Sequence, residues 1–117
     1  MKILFIFNKA PYGSDCGKEL LDMALAFATF DQSVSLLFID QGVWQLVDEQ
    51  KPKLIGQKAY TRLFSGLDLY DIDHLYVEEA ALTRYGIDVT TLIAKQQTVA
   101  EPAIQQLIDQ HDRVYTL

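Results

Sequence analysis

The feature that most constrains the fold is a series of short, almost wholly apolar segments separated by longer amphipathic ones. Residues 3–7 read ILFIF and residues 34–39 read VSLLFI, and each segment is followed by polar or turn-forming residues. Strands of this composition are typical of a parallel sheet covered on both faces, because a strand with one solvated face alternates apolar and polar positions. The two segments therefore predict central strands of an α/β fold.

The rest of the chain continues this alternation. Further strands are predicted at residues 74–77, 95–99 and 113–117, and helices at residues 14–30, 43–50, 58–70, 78–86 and 101–111. Alternating strands and helices indicate right-handed βαβ units, and hence a three-layer sandwich with a five-stranded, mainly parallel sheet. The Pro- and Gly-containing stretch at residues 50–57 is too short to separate two cores, so residues 1–117 are predicted to form a single domain.

Charge and composition exclude several classes of function. The chain has 10 Lys and Arg against 16 Asp and Glu, a net charge of −6, with no basic run, which argues against direct binding to nucleic acid. A single Cys excludes an internal disulfide and fits a reducing compartment. Neither a signal peptide nor an apolar run of the ~20 residues that a membrane helix needs is visible. The predicted location is the cytoplasm, without membrane attachment.

The loop after the first strand, NKAPYGSDCGKE, lacks the established nucleotide-binding motifs. A mononucleotide P-loop needs four residues between its glycines, followed by Lys and a hydroxyl residue. Here Gly13 and Gly17 are one residue too close, and Glu19 stands where the hydroxyl belongs. A module that binds a small anion or a nucleotide through the backbone N–H groups of residues 13–17 remains an alternative.

Cys16 is the one candidate nucleophile in the chain. It lies in the predicted first turn of a helix, where the helix dipole and nearby Lys18 favour a thiolate and Asp15 opposes one. The alternative is a small residue tolerated in a loop, because no His or other base is close in sequence. His74 and His111 have no partner at metal-binding spacing, and neither a metal nor a cofactor is predicted.

The first predicted helix has two apolar stripes. One contains Leu21, Ala24, Leu25 and Ala28, and the other contains Leu20, Met23, Phe27 and Phe30. One stripe is enough to cover a sheet, so the second must be covered by something else. Either neighbouring helices of the same chain cover Leu20, Met23, Phe27 and Phe30, or these residues form a subunit interface, where Met and aromatic residues are enriched.

The order and spacing of several segments resemble the DsrE/DsrF-like family, and most closely its TusC branch. The matching segments are NKAPYG, IDQGVWQL, GLDLYDIDHLYV, AALTRYGI and the closing HDRVYTL. The resemblance implies a five-stranded parallel sheet and a heterohexamer with two copies each of this chain and two related small α/β subunits, TusB-like and TusD-like. It also implies participation in a sulfur relay that leads to 2-thiolation of the wobble uridine of tRNA.

The same resemblance directs attention to Glu78. In active members of the family a cysteine closes the third strand, eight residues before a Gly that ends the next helix. Counting back from Gly86, that position is Glu78. A carboxylate cannot carry a transferable sulfur. Its charge is instead expected to meet the free N–H groups at the start of the helix, so Glu78 and neighbouring Glu79 are interpreted as a structural carboxylate pair rather than an acid/base pair.

Two main hypotheses follow. In the first, the chain is a non-catalytic subunit of the relay, with Glu78 in place of the sulfur-carrying cysteine and the second stripe as its contact surface. In the second, the chain is itself a sulfurtransferase that carries a persulfide on Cys16. The sequence favours the first.

Overall fold

The structure, a computed structural model, describes residues 1–10, 16–47, 60–72, 74–92 and 96–117. The strands are β1 (Lys2–Phe7), β2 (Ser33–Phe38), β3 (His74–Glu78), β4 (Gln97–Val99) and β5 (Arg113–Thr116). The α-helices are α1 (Cys16–Thr29), α2 (Glu79–Tyr85) and α3 (Glu101–Gln110), and 3-10 segments span Asp40–Leu46, Tyr60–Tyr70 and Val89–Thr91.

The five strands form one sheet in the order β4-β3-β2-β1-β5. All four neighbouring pairs are parallel, so the predicted parallel sheet is confirmed. The chain moves outwards from β1 through β2 and β3 to β4, and then returns to the far side of β1 to form β5. The central strands β1 and β2 are the two apolar segments from which the fold class was predicted.

Each face of the sheet has its own apolar core, because side chains of a strand alternate between faces. On β1, Ile3, Phe5 and Phe7 pack with α1 and α2, whereas Leu4 and Ile6 pack on the opposite face with α3. The sheet is thus the middle of three layers. This arrangement explains why β1 is apolar at successive positions, since both of its faces are covered.

Two predicted helices are 3-10 segments. The segment predicted at residues 43–50 spans Asp40–Leu46, and residues 48–50 lie outside the described part of the chain. The segment predicted at residues 58–70 spans Tyr60–Tyr70 and is kinked at Gly66. In both, the large apolar side chains described as buried stand three apart: Val43 and Leu46 in the first, Phe64 and Leu67 in the second. A three-residue repeat matches the 3-10 turn better than the α-helical one.

The carboxylate of Asp88 caps the short 3-10 segment Val89–Thr91, which follows α2. Asp88 Oδ1 accepts hydrogen bonds from the N–H and the hydroxyl of Thr90, both at 2.9 Å. The hydrogen bond from the Thr90 N–H, and to a smaller extent the one from the Thr90 hydroxyl, hold the pKa of Asp88 below its usual value of 3.8. Because its pKa is lowered, ionised Asp88 stabilises the fold at pH values above the ordinary carboxyl pKa. This stabilisation is lost as the pH falls through the lowered pKa.

Among the described residues, no helix combines the length and the apolarity required to cross a bilayer.

Candidate functional site at the carboxyl edge of the sheet

Glu78 closes β3, and the helices that follow β3 and its neighbour β4 lie on opposite faces of the sheet. It is the last residue of β3 and pairs with Val99, the last residue of β4. After β3 the chain enters α2, whose Ala81 and Leu82 pack on one face; after β4 it enters α3, whose Leu107 packs on the other. In open α/β sheets, ligands bind in the crevice that such a change of face creates. The surroundings of Glu78 are therefore the candidate site.

The carboxylate of Glu78 connects the ends of two neighbouring strands. Glu78 is the N-cap residue of α2, but its side chain makes no capping hydrogen bond. Its Oε1 accepts a hydrogen bond from the main-chain N–H of Asp40, which follows β2, at 3.0 Å. The prediction that this charge meets the N–H groups of its own helix is therefore wrong. The carboxylate instead fixes the loop after β2 against the end of β3.

Asp40 is the centre of this group of side chains. Its Oδ1 accepts from Arg84 Nη1 and from the Tyr85 hydroxyl, each at 2.9 Å, while its N–H donates to Glu78. Its φ of 49° lies in the left-handed region, which Asp adopts more readily than most residues. The strained backbone directs the N–H towards β3 and the carboxylate towards α2. Asp40 thereby ties β2, β3 and α2 together at one edge.

This arrangement can hold charge but cannot carry sulfur. Glu78 accepts a hydrogen bond from a main-chain amide, and Asp40 is paired with Arg84. A carboxylate has no sulfur with which to attack a persulfide, and the chain's single cysteine, Cys16, follows a different strand. The chemistry that the end of β3 supports is therefore structural and electrostatic.

Substitution of Glu78 tests this bridging role. Glu78→Ala removes the acceptor of the Asp40 N–H, so we expect unfolding in urea to show a loss of about 1 kcal/mol. Glu78→Gln keeps a side-chain oxygen at the same reach and should lose less than half of that. Glu79 is exposed and adjacent, so Glu79→Ala serves as the control and should change stability by under about 0.5 kcal/mol. Equal losses for Glu78→Ala and Glu79→Ala would contradict the bridge.

Cys16 lies in a separate small pocket at the same edge. It is half-buried at the start of α1, and Lys9 Nζ approaches its Sγ to 3.9 Å. Lys9 also donates to the main-chain oxygen of Leu117 at 2.7 Å, and the fully buried Gln45 donates to the Lys9 carbonyl at 3.1 Å. The pocket measures about 180 Å³ including the part open to solvent. The Lys9 ammonium is positioned to attract negative charge on the Cys16 sulfur.

The two groups of residues are not neighbours within the sheet. Cys16 follows β1 and Glu78 closes β3, with β2 between those strands. Two strand spacings place the ends of β1 and β3 about 10 Å apart. Residues 13–15 of the proposed anion-binding loop lie outside the described residues, so that alternative stays a prediction.

Neither histidine lies in a metal-ligand cluster within the described ranges. His111 Nδ1 lies 2.6 Å from the Leu107 carbonyl, and His74 is exposed at the start of β3. Among the residues whose positions are described, no group of three or more His, Cys, Asp or Glu could hold a metal ion.

The second stripe of α1 is mostly covered by the chain itself. Leu20 is only 2% exposed and belongs to the core, so its prediction as an interface residue is corrected. The half-buried Phe27 packs against the ring of Phe5 at 5.9 Å, and Met23 also contacts the core. Phe30, just after α1, is the member of the stripe that is exposed, at 76%. The stripe is wide because most of its residues pack against apolar side chains of the sheet.

Sequence reasoning missed four residues of this edge: Lys9, Asp40, Gln45 and Arg84. A signal for Asp40 existed, because it directly follows a predicted strand and the carboxyl ends of parallel strands share an edge. Arg84 and Lys9 had no comparable signal, since their partners are distant in sequence. Gln45 is a polar residue buried in a segment predicted as a helix, and its role depends on the close approach of that segment to β1.

Comparison with known proteins agrees with this architecture. The model of the DsrE/DsrF-like family matches residues 1–117. A protein named "Protein TusC homolog" from Haemophilus influenzae is 33% identical over 118 residues, which cover 99% of each chain. The crystal structure of the ychN protein from E. coli has the same fold, with a TM-score of 0.84 at 22% identity, covering 100% of this chain and 99% of that one. The chain belongs to the DsrE/DsrF-like family.

Proposed function

We propose that this chain is a TusC-like, non-catalytic subunit of a sulfur-relay complex that serves 2-thiolation of the tRNA wobble uridine in the cytoplasm. Residues 1–117 act in this proposal as one domain. The observation that carries it is the carboxylate of Glu78 at the end of β3, which accepts a hydrogen bond from the Asp40 N–H in the loop after β2. The full-length similarity to the "Protein TusC homolog" supports the assignment.

The physical argument concerns what position 78 can do. Transfer of a sulfane sulfur requires a cysteine thiolate that attacks the outer sulfur of a persulfide, and the donor cysteine then leaves as a thiolate. Glu78 places a negative charge at the edge of the sheet, as a thiolate would, but it has no sulfur. A subunit with such a site can complete the shape and charge of a complex while a partner's cysteine performs the transfer.

The proposed partners are the TusB-like and TusD-like subunits of a heterohexamer. Phe30 is exposed and supplies apolar contact surface, with part of Met23 beside it on α1. Direct tRNA binding by this chain is not expected, because a net charge of −6 opposes phosphate binding.

Co-expression tests the assignment to a complex. The chain is produced together with a TusB-like and a TusD-like chain, and the mass of the purified material is measured by native mass spectrometry. We expect this chain to co-purify with both relatives at equal stoichiometry. A stable monomer that binds neither would overturn the proposal.

A second candidate function rests on the Lys9 and Cys16 pair. The ammonium lies 3.9 Å from the sulfur, in a pocket at the carboxyl edge, where it could contact a persulfide on that sulfur. In this alternative Cys16 itself carries the sulfur. The two functions differ in which chain gains mass from a persulfide donor.

A further inference from the structure

Large apolar side chains are exposed at the amino-terminal edge of the sheet, opposite the candidate site: Met1, which precedes β1, and three more that precede β2 and β3. Phe30 is 76% exposed, Leu69 85% and Tyr70 45%. Phe30 precedes β2, and Leu69 and Tyr70 precede β3. Because β2 and β3 are paired in parallel, both segments approach the same edge, with their strands about 5 Å apart.

Three exposed aspartates accompany these side chains directly in sequence. Asp31 follows Phe30, while Asp68 and Asp71 stand on either side of the Leu69 and Tyr70 pair. We call the six residues the amino-edge patch: Phe30, Asp31, Asp68, Leu69, Tyr70 and Asp71. Each exposed apolar side chain of the patch thus has a carboxylate next to it in sequence, and we call these three carboxylates its acidic rim.

Two of these aspartates occupy positions that helix termination does not favour. Asp31 and Asp71 both have φ near 61°, and each closes a helical segment as Gly86 closes α2, with φ of 64°. Glycine is the preferred residue at this left-handed position. A carboxylate at the end of a helix also opposes the helix dipole, and neither segment has a basic residue in its last turn. Asp tolerates the left-handed conformation better than most residues, so the cost at these two positions is electrostatic.

Charge indicates the kind of partner. A second copy of the chain would bring the same acidic rim against itself, in a molecule whose net charge is −6. A surface with an apolar pocket and a rim of Lys or Arg would instead match both the apolar side chains and the acidic rim of the patch. Pairing with such a rim would offset the unfavourable placement of Asp31 and Asp71.

We infer that the amino-edge patch docks a basic-rimmed apolar pocket on a related subunit of the complex. This inference rests on the proposed function, because it names the surface through which the chain enters that complex. The apolar side chains supply burial, and the aspartates supply orientation and selectivity against self-association.

The test uses the full chain, co-expressed with its two relatives, and measures the dissociation constant of the complex. Phe30→Ser combined with Leu69→Ser is expected to weaken association at least about tenfold without changing the fold, since both side chains are exposed. Val114→Thr on β5, a strand on the other side of β1 from β2, replaces another exposed apolar residue and should leave association unchanged.

The charges are tested by Asp31→Asn combined with Asp71→Asn. Asn tolerates the left-handed conformation at least as well as Asp, so the melting temperature should stay the same or rise. Association should weaken about tenfold and lose most of its dependence on salt. Asp22→Asn with Glu101→Gln removes the same two charges from exposed positions outside the patch and is expected to leave association unchanged.

The outcomes separate this inference from the proposed function. If the wild-type chain joins no complex, the proposed function fails and the inference fails with it. If the wild type assembles and both patch variants assemble equally well, the patch inference alone is overturned. Homodimers that the patch variants abolish would also contradict it, since the acidic rim is argued to exclude a second copy.

Discussion

Gly42→Ala is expected to destabilise the protein by about 3 kcal/mol or more, because no space exists for the added methyl group. A Cβ built at Gly42 would lie 1.7 Å from the carbonyl oxygen of Phe7 and 2.4 Å from its carbon. These are backbone atoms of β1, and the same oxygen accepts the N–H of Ile39 at 3.0 Å. To avoid this clash, the whole 3-10 segment would have to move away from the sheet. That segment carries Asp40 and Gln45.

Thermal unfolding followed by circular dichroism measures this effect. A fall of the melting temperature by roughly 10 °C is expected for Gly42→Ala. Gly66→Ala is the matched control: among the described residues a Cβ there would meet only Leu69 Cδ1, at 4.0 Å, and its φ of −114° is open to alanine. If the two variants melt at the same temperature, the close approach of Gly42 to β1 is contradicted.

Phe64→Ala is expected to lose about 3 to 5 kcal/mol, the usual cost of deleting a buried ring. The Phe64 ring meets Phe7 and Phe38 edge-on, with centroids 5.6 and 5.2 Å apart. Phe7 and Phe38 are themselves stacked at 4.8 Å, across neighbouring strands. Phe64 therefore fastens the segment Tyr60–Tyr70 to the centre of the sheet, and its removal leaves a cavity between them.

The chain offers a control of the same chemistry. Phe30→Ala deletes an identical ring at a site that is 76% exposed, against 2% for Phe64, so it should change stability by less than about 0.5 kcal/mol. Urea unfolding of both variants gives the comparison. A loss at Phe30 as large as the loss at Phe64 would show that Phe30 is covered within the monomer.

Local patterns predicted the central strands β1 and β2 well because burial on both faces leaves an apolar signal in each segment. The apolar runs placed β1 and β2 to within a residue at each end, and Pro102 marked the start of α3. The 3-10 segments were predicted as helices because their three-residue spacing of buried positions differs little from helical spacing over such short lengths.

The site was predicted less completely because its contacts join distant parts of the chain. Position 78 and the sheet edge were identified, but the bond from Asp40 spans 38 residues and the Lys9 contact with Leu117 spans 108. No local pattern records such pairings. The wide apolar stripe of α1 was ambiguous for a similar reason: the Phe5 and Tyr115 rings that cover Phe27 come from opposite ends of the sequence.

The most direct measurement is the intact mass of every chain after the co-purified complex is treated with a persulfide donor. If this chain is a scaffold with Glu78 at the end of β3, a partner chain should gain a sulfur and this chain should stay unmodified. An extra sulfur on this chain that disappears in Cys16→Ser would contradict that account and assign the transfer to the pocket beside Lys9.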